Sequence, residues 1–262
     1  MAFTENDNNG VVYMTSPNIS AKHAFTTRYG GVSDGIFESL NLGYTSGDDS
    51  ANVTENYRIL ARALKIEPVE FAFSKQVHRD DIRICTMEER QPVPYSVPYE
   101  ADGLITDLKN VPLVIFTADC TPILLHDPVR GAVGAVHAGW RGTVMDIIGK
   151  AVRKMCEVYG CKAENICAAI GPCISKCCFE TGGEVYEAVA DILGEEVERY
   201  ADKKTDGKYM LDLKGINEHL LRRAGVKNIE ISEECTKCSH DKYWSHRATG
   251  GKRGTQCSCI VL

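Results

Sequence analysis

The sequence predicts an α+β fold on mixed sheets, on two observations. Short β-branched runs bounded by Gly, Pro or Asp are interspersed with amphipathic stretches at helical spacing, and the two kinds do not alternate strictly. A doubly wound parallel sheet would require that alternation. The 262 residues, 44% hydrophobic and 25% charged, suffice for a substantial core. No repeat, low-complexity block or linker divides them, so one domain over 1–262 is expected.

Taken in order, residues 52–64 place Val53, Tyr57, Leu60 and Leu64 on one helical face, with Pro68 beyond the end. Residues 81–85 read as a strand. Residues 90–99 (RQPVPYSVPY) hold three prolines and read as an extended loop. Strands are expected at 113–117, 123–126 and 132–137. A helix should span 143–159, with Thr143 and Asp146 at capping-box spacing and Gly160 as its stop. A strand at 166–170 precedes helices at 183–200, weakened by Gly194, and 215–224, ended by Gly225. A last short strand is expected at 229–231.

The net charge of −6, with no Lys/Arg run longer than two, argues against nucleic acid as a partner. Residues 1–10 are polar and lack the apolar stretch of a secretory signal. No run is long enough to span a bilayer, and Pro112 interrupts the one at 111–116. A cytoplasmic protein is expected, away from membranes, with its twelve cysteines as reduced thiols rather than a disulfide framework.

Three segments carry the chemistry: 73–78 (FSKQVH), 117–120 (TADC) and 136–143 (VHAGWRGT). Each ends an expected strand or starts the turn after it. Two imidazoles, His78 and His137, with the Cys120 thiolate would bind zinc and leave the fourth position open, as catalytic zinc sites do. Copper would fit the same donors. Arg141, between Gly139 and Gly142 just before the helix expected from Thr143, is an anion candidate. Asp119, beside Cys120, is the nearest carboxylate for moving a proton; hydrogen bonding within its own turn is the plain alternative. Cys235-x-x-Cys238 and Cys257-x-Cys259 offer four thiolates for a second zinc, against the reading of partly buried thiols. Cys173, Cys177 and Cys178 are expected to pack. His23, His126, His240 and His246 read as structural or solvated.

Motifs along nearly the whole chain give a family resemblance: 25–31 (FTTRYGG), 39–43 (SLNLG), 76–78 (QVH), 101–103 (ADG), 117–120 (TADC), 137–142 (HAGWRG), 170–172 (IGP), Cys235 and 245–247 (SHR). The chain resembles the YfiH-like family of multicopper polyphenol oxidase or laccase-domain proteins, of purine nucleoside phosphorylase type. The resemblance implies mixed sheets flanked by helices and metal ligands at His78, Cys120 and His137. It also implies phosphorolysis of adenosine, inosine and methylthioadenosine, with adenosine deamination, so purine nucleosides and phosphate are the expected partners. Arg28 becomes a phosphate candidate, and Asn41 a nucleoside contact that a turn role explains equally well. Where many relatives end in Thr-Gly-Arg, this chain has Arg253-Gly254-Thr255, which leaves Arg253 outside the expected site.

Two alternatives stay open. Cys120 and His137 would also serve a cysteine hydrolase, and a non-catalytic metal-binding or redox module would use the thiols. Seven histidines with no His-x-His pair argue against a multicopper cluster, leaving a copper-dependent polyphenol oxidase as the weaker reading.

Overall fold

A computed structural model describes residues 2–93, 97 and 99–262. The strands are β1 (Thr4–Asn8), β2 (Val11–Thr15), β3 (Lys22–Thr26), β4 (Glu70–Phe73), β5 (Ile82–Ile84), β6 (Gln91–Pro92), β7 (Gly103–Thr106), β8 (Leu113–Thr117), β9 (Thr121–Asp127), β10 (Ala132–Ala138), β11 (Cys167–Ile170), β12 (Glu180–Thr181), β13 (Ala201–Lys203), β14 (Tyr209–Leu211), β15 (Asn228–Ile231) and β16 (Gln256–Val261). The helices are α1 (Ser50–Leu64), α2 (Trp140–Val144), α3 (Ile147–Tyr159), α4 (Gly183–Leu193), α5 (Leu213–Arg223) and α6 (His246–Thr249).

The strands form a seven-stranded sheet, β1-β2-β3-β16-β8-β4-β6, a six-stranded sheet, β15-β11-β9-β10-β7-β5, and a small sheet, β12-β14-β13. Both large sheets are mixed: β4 runs parallel to β8, and β11 parallel to β15, among antiparallel pairs. The α+β expectation holds.

Period-two alternation explains the layering. Leu113 and Ile115 of β8 meet Leu124 of β9 and Val133 and Ala135 of β10 in the layer between the sheets. The alternate residue Val114 faces Tyr57 and Leu60 of α1 on the outer face. On the far side, Ile123, Leu125 and Val136 pack against Ile148 and Val152 of α3 and Ile216 and Leu220 of α5. Strands buried on both faces read as continuous apolar runs, and each fully buried aliphatic side chain contributes about 1.5–3 kcal/mol.

Three expected elements differ. The helix expected at 143–159 begins earlier, at Trp140, and breaks at Asp146, whose φ of +59° is left-handed. No capping box forms, because Asn217 Nδ2 donates to the Thr143 hydroxyl and Asp146 pairs with Arg153. The helix expected at 183–200 stops at Gly194, whose φ of +60° and ψ of −139° suit glycine, and a 3-10 helix, Gly194–Arg199, follows. In the expected loop 90–99, Gln91 and Pro92 form β6; Pro94, Tyr95, Ser96 and Pro98 lie outside the described residues.

Candidate metal centre

The centre lies at one end of the layer between the sheets. His137 has the parity of Val133 and Ala135, so alternation directs it into that layer near the end of β10. Across the ladder it pairs with Pro122, two residues beyond Cys120. Cys120 sits in the turn where the chain leaves β8 in one sheet and enters β9 in the other. His78 follows β4 with a left-handed φ of +60°, and Asp119 has φ of +92°, so two non-glycine residues hold uncommon backbone at this spot.

The surroundings fix these geometries. The Gln76 side chain bonds both backbone groups of Phe116: its Nε2 donates to the carbonyl at 2.8 Å and its Oε1 accepts the N–H at 2.6 Å. Asp102, fully buried just before β7, accepts N–H bonds from Val77, His78 and Arg79, each at 3.0 Å. Its Oδ1 also takes the His137 Nδ1 bond at 2.7 Å, which leaves Nε2 for a metal. A Cβ at Gly139 would meet the His78 ring at 3.1 Å and the Cys120 sulfur at 3.3 Å, tight contacts that would push on the two ligands.

The ligand atoms of His78, Cys120 and His137 all lie within 4.8 Å of one another, and Cys120 Sγ is 3.9 Å from His78 Nε2. Tetrahedral zinc would set a sulfur–nitrogen separation of about 3.6 Å. Burial opposes charge on both Cys120 and His137. Attraction to His137, with hydrogen bonds from both histidines, nevertheless brings the Cys120 thiol down to about 6. The Cys120 thiolate and the bond to Asp102 lift His137 to about 9. Asp102 is held below the usual carboxylate range: burial opposes this, but His137 and the N–H donors prevail. The thiol is thus a ready thiolate, the form that binds metal. The donor set, the histidine held by a carboxylate and the cavity above fit a three-ligand metal site with an open position.

That cavity, about 750 Å³, is lined by all three groups, by aromatic Tyr44, Phe73, Phe116, Trp140 and Phe179, and by Asp119, Arg247 and Arg253. Its size is in the range of small-molecule sites, about 300–1,000 Å³. Asp119 accepts the Thr236 hydroxyl at 2.6 Å and the Arg247 N–H at 2.6 Å, so it latches residues 236–247 to the cysteine turn rather than bonding its own turn. Arg253 Nε and the Thr117 hydroxyl are buried without a hydrogen-bond partner among the described residues.

Three residues expected at the substrate lie outside the cavity lining. Arg28 donates to the carbonyls of Glu38 and His240 and stacks on Trp244. Asn41, fully buried, bonds Ser46, Asp48, Gly43 and Thr255. Arg141 is exposed against the Trp140 ring, and the helix it was to precede already starts at Trp140. In their place the cavity has Arg247, from the 245–247 motif, Arg253, which had been left outside the expected site, and His246, which had been read as solvated. Sequence reasoning also missed Asp102, although the Ala-Asp-Gly motif signalled it: an acidic residue beside an apolar strand needs a buried partner. Cys257 and Cys259 are buried behind α1 instead of joining Cys235 and Cys238. Two residues apart on one strand, they share its face, and burial raises both thiols, Cys257 to about 12.

Fold and cavity together define an α+β enzyme with a histidine–cysteine–histidine centre. The chain belongs to the family described as multi-copper polyphenol oxidoreductase laccase, whose model matches residues 22–262. It is 35% identical to the purine nucleoside phosphorylase YlmD of Bacillus subtilis, over 91% of this chain and 87% of that one. It is 34% identical to the adenosine deaminase RL5 of an unknown prokaryotic organism, over 90% and 92%. The crystal structure of Bacillus licheniformis YfiH, 34% identical, superposes with a TM-score of 0.93 over 99% of this chain and 98% of that one. The resemblance read from the motifs is borne out.

Proposed function

We propose that this chain is a metal-dependent purine nucleoside enzyme that cleaves adenosine, inosine and methylthioadenosine with phosphate and also deaminates adenosine. One observation carries the reading: three metal donors lie at an aromatic-lined cavity that also holds Arg253, whose Nε is buried without a hydrogen-bond partner among the described residues. Flat aromatic walls suit a purine, and an unpartnered guanidinium N–H suits a phosphate oxygen. The names of the related phosphorylase and deaminase agree with it.

His78, Cys120 and His137 would hold zinc, or copper under copper loading, and a bound metal supplies Lewis acidity at the open position. Asp102 holds His137 in the metal-binding tautomer. Arg253, with Arg247 also on the cavity lining, binds the phosphate and steadies its charge as the glycosidic bond breaks. Phe116 and Phe179 stack on the base. Asp119 carries the proton in deamination, its two hydrogen bonds keeping it in place. Arg28 and Asn41 support the loops around the cavity, and Arg141 lies outside. The reading places the protein in the cytoplasm, and no described helix is long and apolar enough to cross a membrane.

The test is incubation of pure protein with adenosine, with and without phosphate. Adenine and ribose 1-phosphate should form only with phosphate; inosine and ammonia should form without it. Neither product pair appearing would overturn the reading. Asp119→Asn should lose deamination while retaining phosphorolysis; full deamination would remove Asp119 from its role.

The thiolate–imidazolium pair, with Asp102 behind His137, also has the layout of a cysteine hydrolase. Metal per chain separates the two: about one zinc that His78→Ala removes supports the first reading. No loss of metal in His78→Ala, with Cys120 readily alkylated, supports the second.

A further inference from the structure

A second cluster of sulfurs lies outside the centre just described. Cys177 and Cys178 occupy the turn between β11 and β12, and Cys235 and Cys238 the turns after β15. Their four ligand atoms all lie within 4.8 Å of one another. Cys177 Sγ is 3.7 Å from both Cys178 Sγ and Cys238 Sγ, and Cys178 Sγ is 3.4 Å from Cys238 Sγ. These separations are far beyond a disulfide, which measures about 2.05 Å. Four thiolates around one zinc, each at about 2.3 Å, define a tetrahedron whose edges are about 3.8 Å. The three separations among Cys177, Cys178 and Cys238 lie within about 0.4 Å of those edges, and Cys235 stands within 4.8 Å of all three.

We propose that Cys177, Cys178, Cys235 and Cys238 form a second, closed metal site that takes zinc and staples the turn after β11 to the segment after β15.

Donor chemistry and position support it. Sulfur donors select zinc or iron over magnesium or calcium, and four protein ligands leave no open vertex, as in structural rather than catalytic sites. The Ser175 N–H donates to Cys235 Sγ at 3.4 Å, the kind of contact that offsets charge on a metal-bound sulfur. The two segments are about 60 residues apart in sequence. Beside the sulfurs they join through a Cys173–Cys235 bridge, where the Thr236 N–H donates to the Cys173 carbonyl at 3.1 Å. Ile174, Phe179 and Cys235 anchor the two turns in the core, and a metal cross-link adds to that packing.

The staple also reaches the cavity. Ile174 and Phe179 flank the first cysteine pair and line the cavity wall. Thr236, between the second pair, donates to Asp119, and the Ile174 N–H donates to the Asp119 carbonyl. A metal here fixes the spacing of one cavity wall without touching substrate.

The experiment begins with the full-length Cys120→Ala chain, purified without chelator, which lacks a ligand of the cavity centre. Elemental analysis should find about one zinc per chain, and X-ray absorption should place four sulfurs at about 2.3 Å. Unmutated protein should hold about two zincs, and Cys178→Ser with Cys238→Ser should bring it to about one. A Cys120→Ala chain without metal, or with nitrogen or oxygen donors around its metal, overturns the proposal. So does a Cys178–Cys238 disulfide in protein isolated under reducing conditions. The two centres fail separately: one zinc in both unmutated and Cys120→Ala protein removes the cavity metal and leaves the staple. One zinc in unmutated protein but none in Cys120→Ala does the reverse. Should the double variant not fold, the Cys120→Ala measurement still decides.

Discussion

Replacing Asp102 with asparagine keeps the shape of the side chain but removes its charge and one acceptor oxygen. In the native centre Oδ1 takes the His78 N–H and His137 Nδ1, and Oδ2 takes the Val77 and Arg79 N–H groups. If the new amide NH2 takes the Oδ2 position, two backbone donors lose their acceptor, at about 1–3 kcal/mol each, or about 2–6 in total. If it takes the Oδ1 position, His137 must accept at Nδ1 and carry its proton on Nε2, where it can no longer bind metal. Both routes weaken the centre. Loss of a carboxylate behind a metal-ligating histidine costs about 10–100-fold in affinity, or about 1.4–2.7 kcal/mol. Competition with a chromophoric chelator measures that loss, and thermal unfolding should show a drop on the order of 10 °C. Metal affinity within about twofold of the parent, at an unchanged melting temperature, would refute the role assigned to Asp102.

Arg253→Ala should raise the KM for phosphate about tenfold or more, the scale of one charge-assisted hydrogen bond. Arg28→Ala and Arg141→Ala should leave it nearly unchanged; steady-state kinetics with varied phosphate would expose the opposite pattern. Asn41→Ala orphans the Gly43 and Thr255 N–H groups and should cost about 2–6 kcal/mol in urea unfolding, whereas a nucleoside contact would change KM with stability intact. In metal-free protein, peptide-resolved alkylation of Cys120 should reach half its maximum rate near pH 6 rather than near the ordinary thiol value of 9. The lowered Cys120 value stabilises the fold above pH 9 and loses that effect as pH falls through about 6. The raised His137 value stabilises it below 6.5 and loses that effect as pH rises through about 9. The two contributions run in opposite directions between pH 6 and 9 and nearly offset, so metal-free stability in urea unfolding should change little across that range.

The sequence by itself determined the middle of the fold. Strands β8 to β10 are buried on both faces, so their apolar runs survive any choice of neighbour, and α1 carries an unambiguous helical stripe. Edge strands such as β1 escaped because exposed polar residues such as Glu5 and Asp7 dilute the alternation. β16, packed between β3 and β8, was read for its cysteines instead of its burial. His78, Cys120 and His137 were legible as residue types set at strand ends. Their convergence was decided by the cross-over from β8 to β9 and by the β9–β10 register, which have no local signature, and by Asp102, which left a trace only in the Ala-Asp-Gly motif. The same holds for the charges: nothing in the sequence separates Arg28, held by two carbonyls, from Arg253, half-buried in the cavity wall. Side-chain chemistry is local, but the partner that saturates a side chain or leaves it open is fixed by contacts distant in the chain, and those exist only once the sheets have packed.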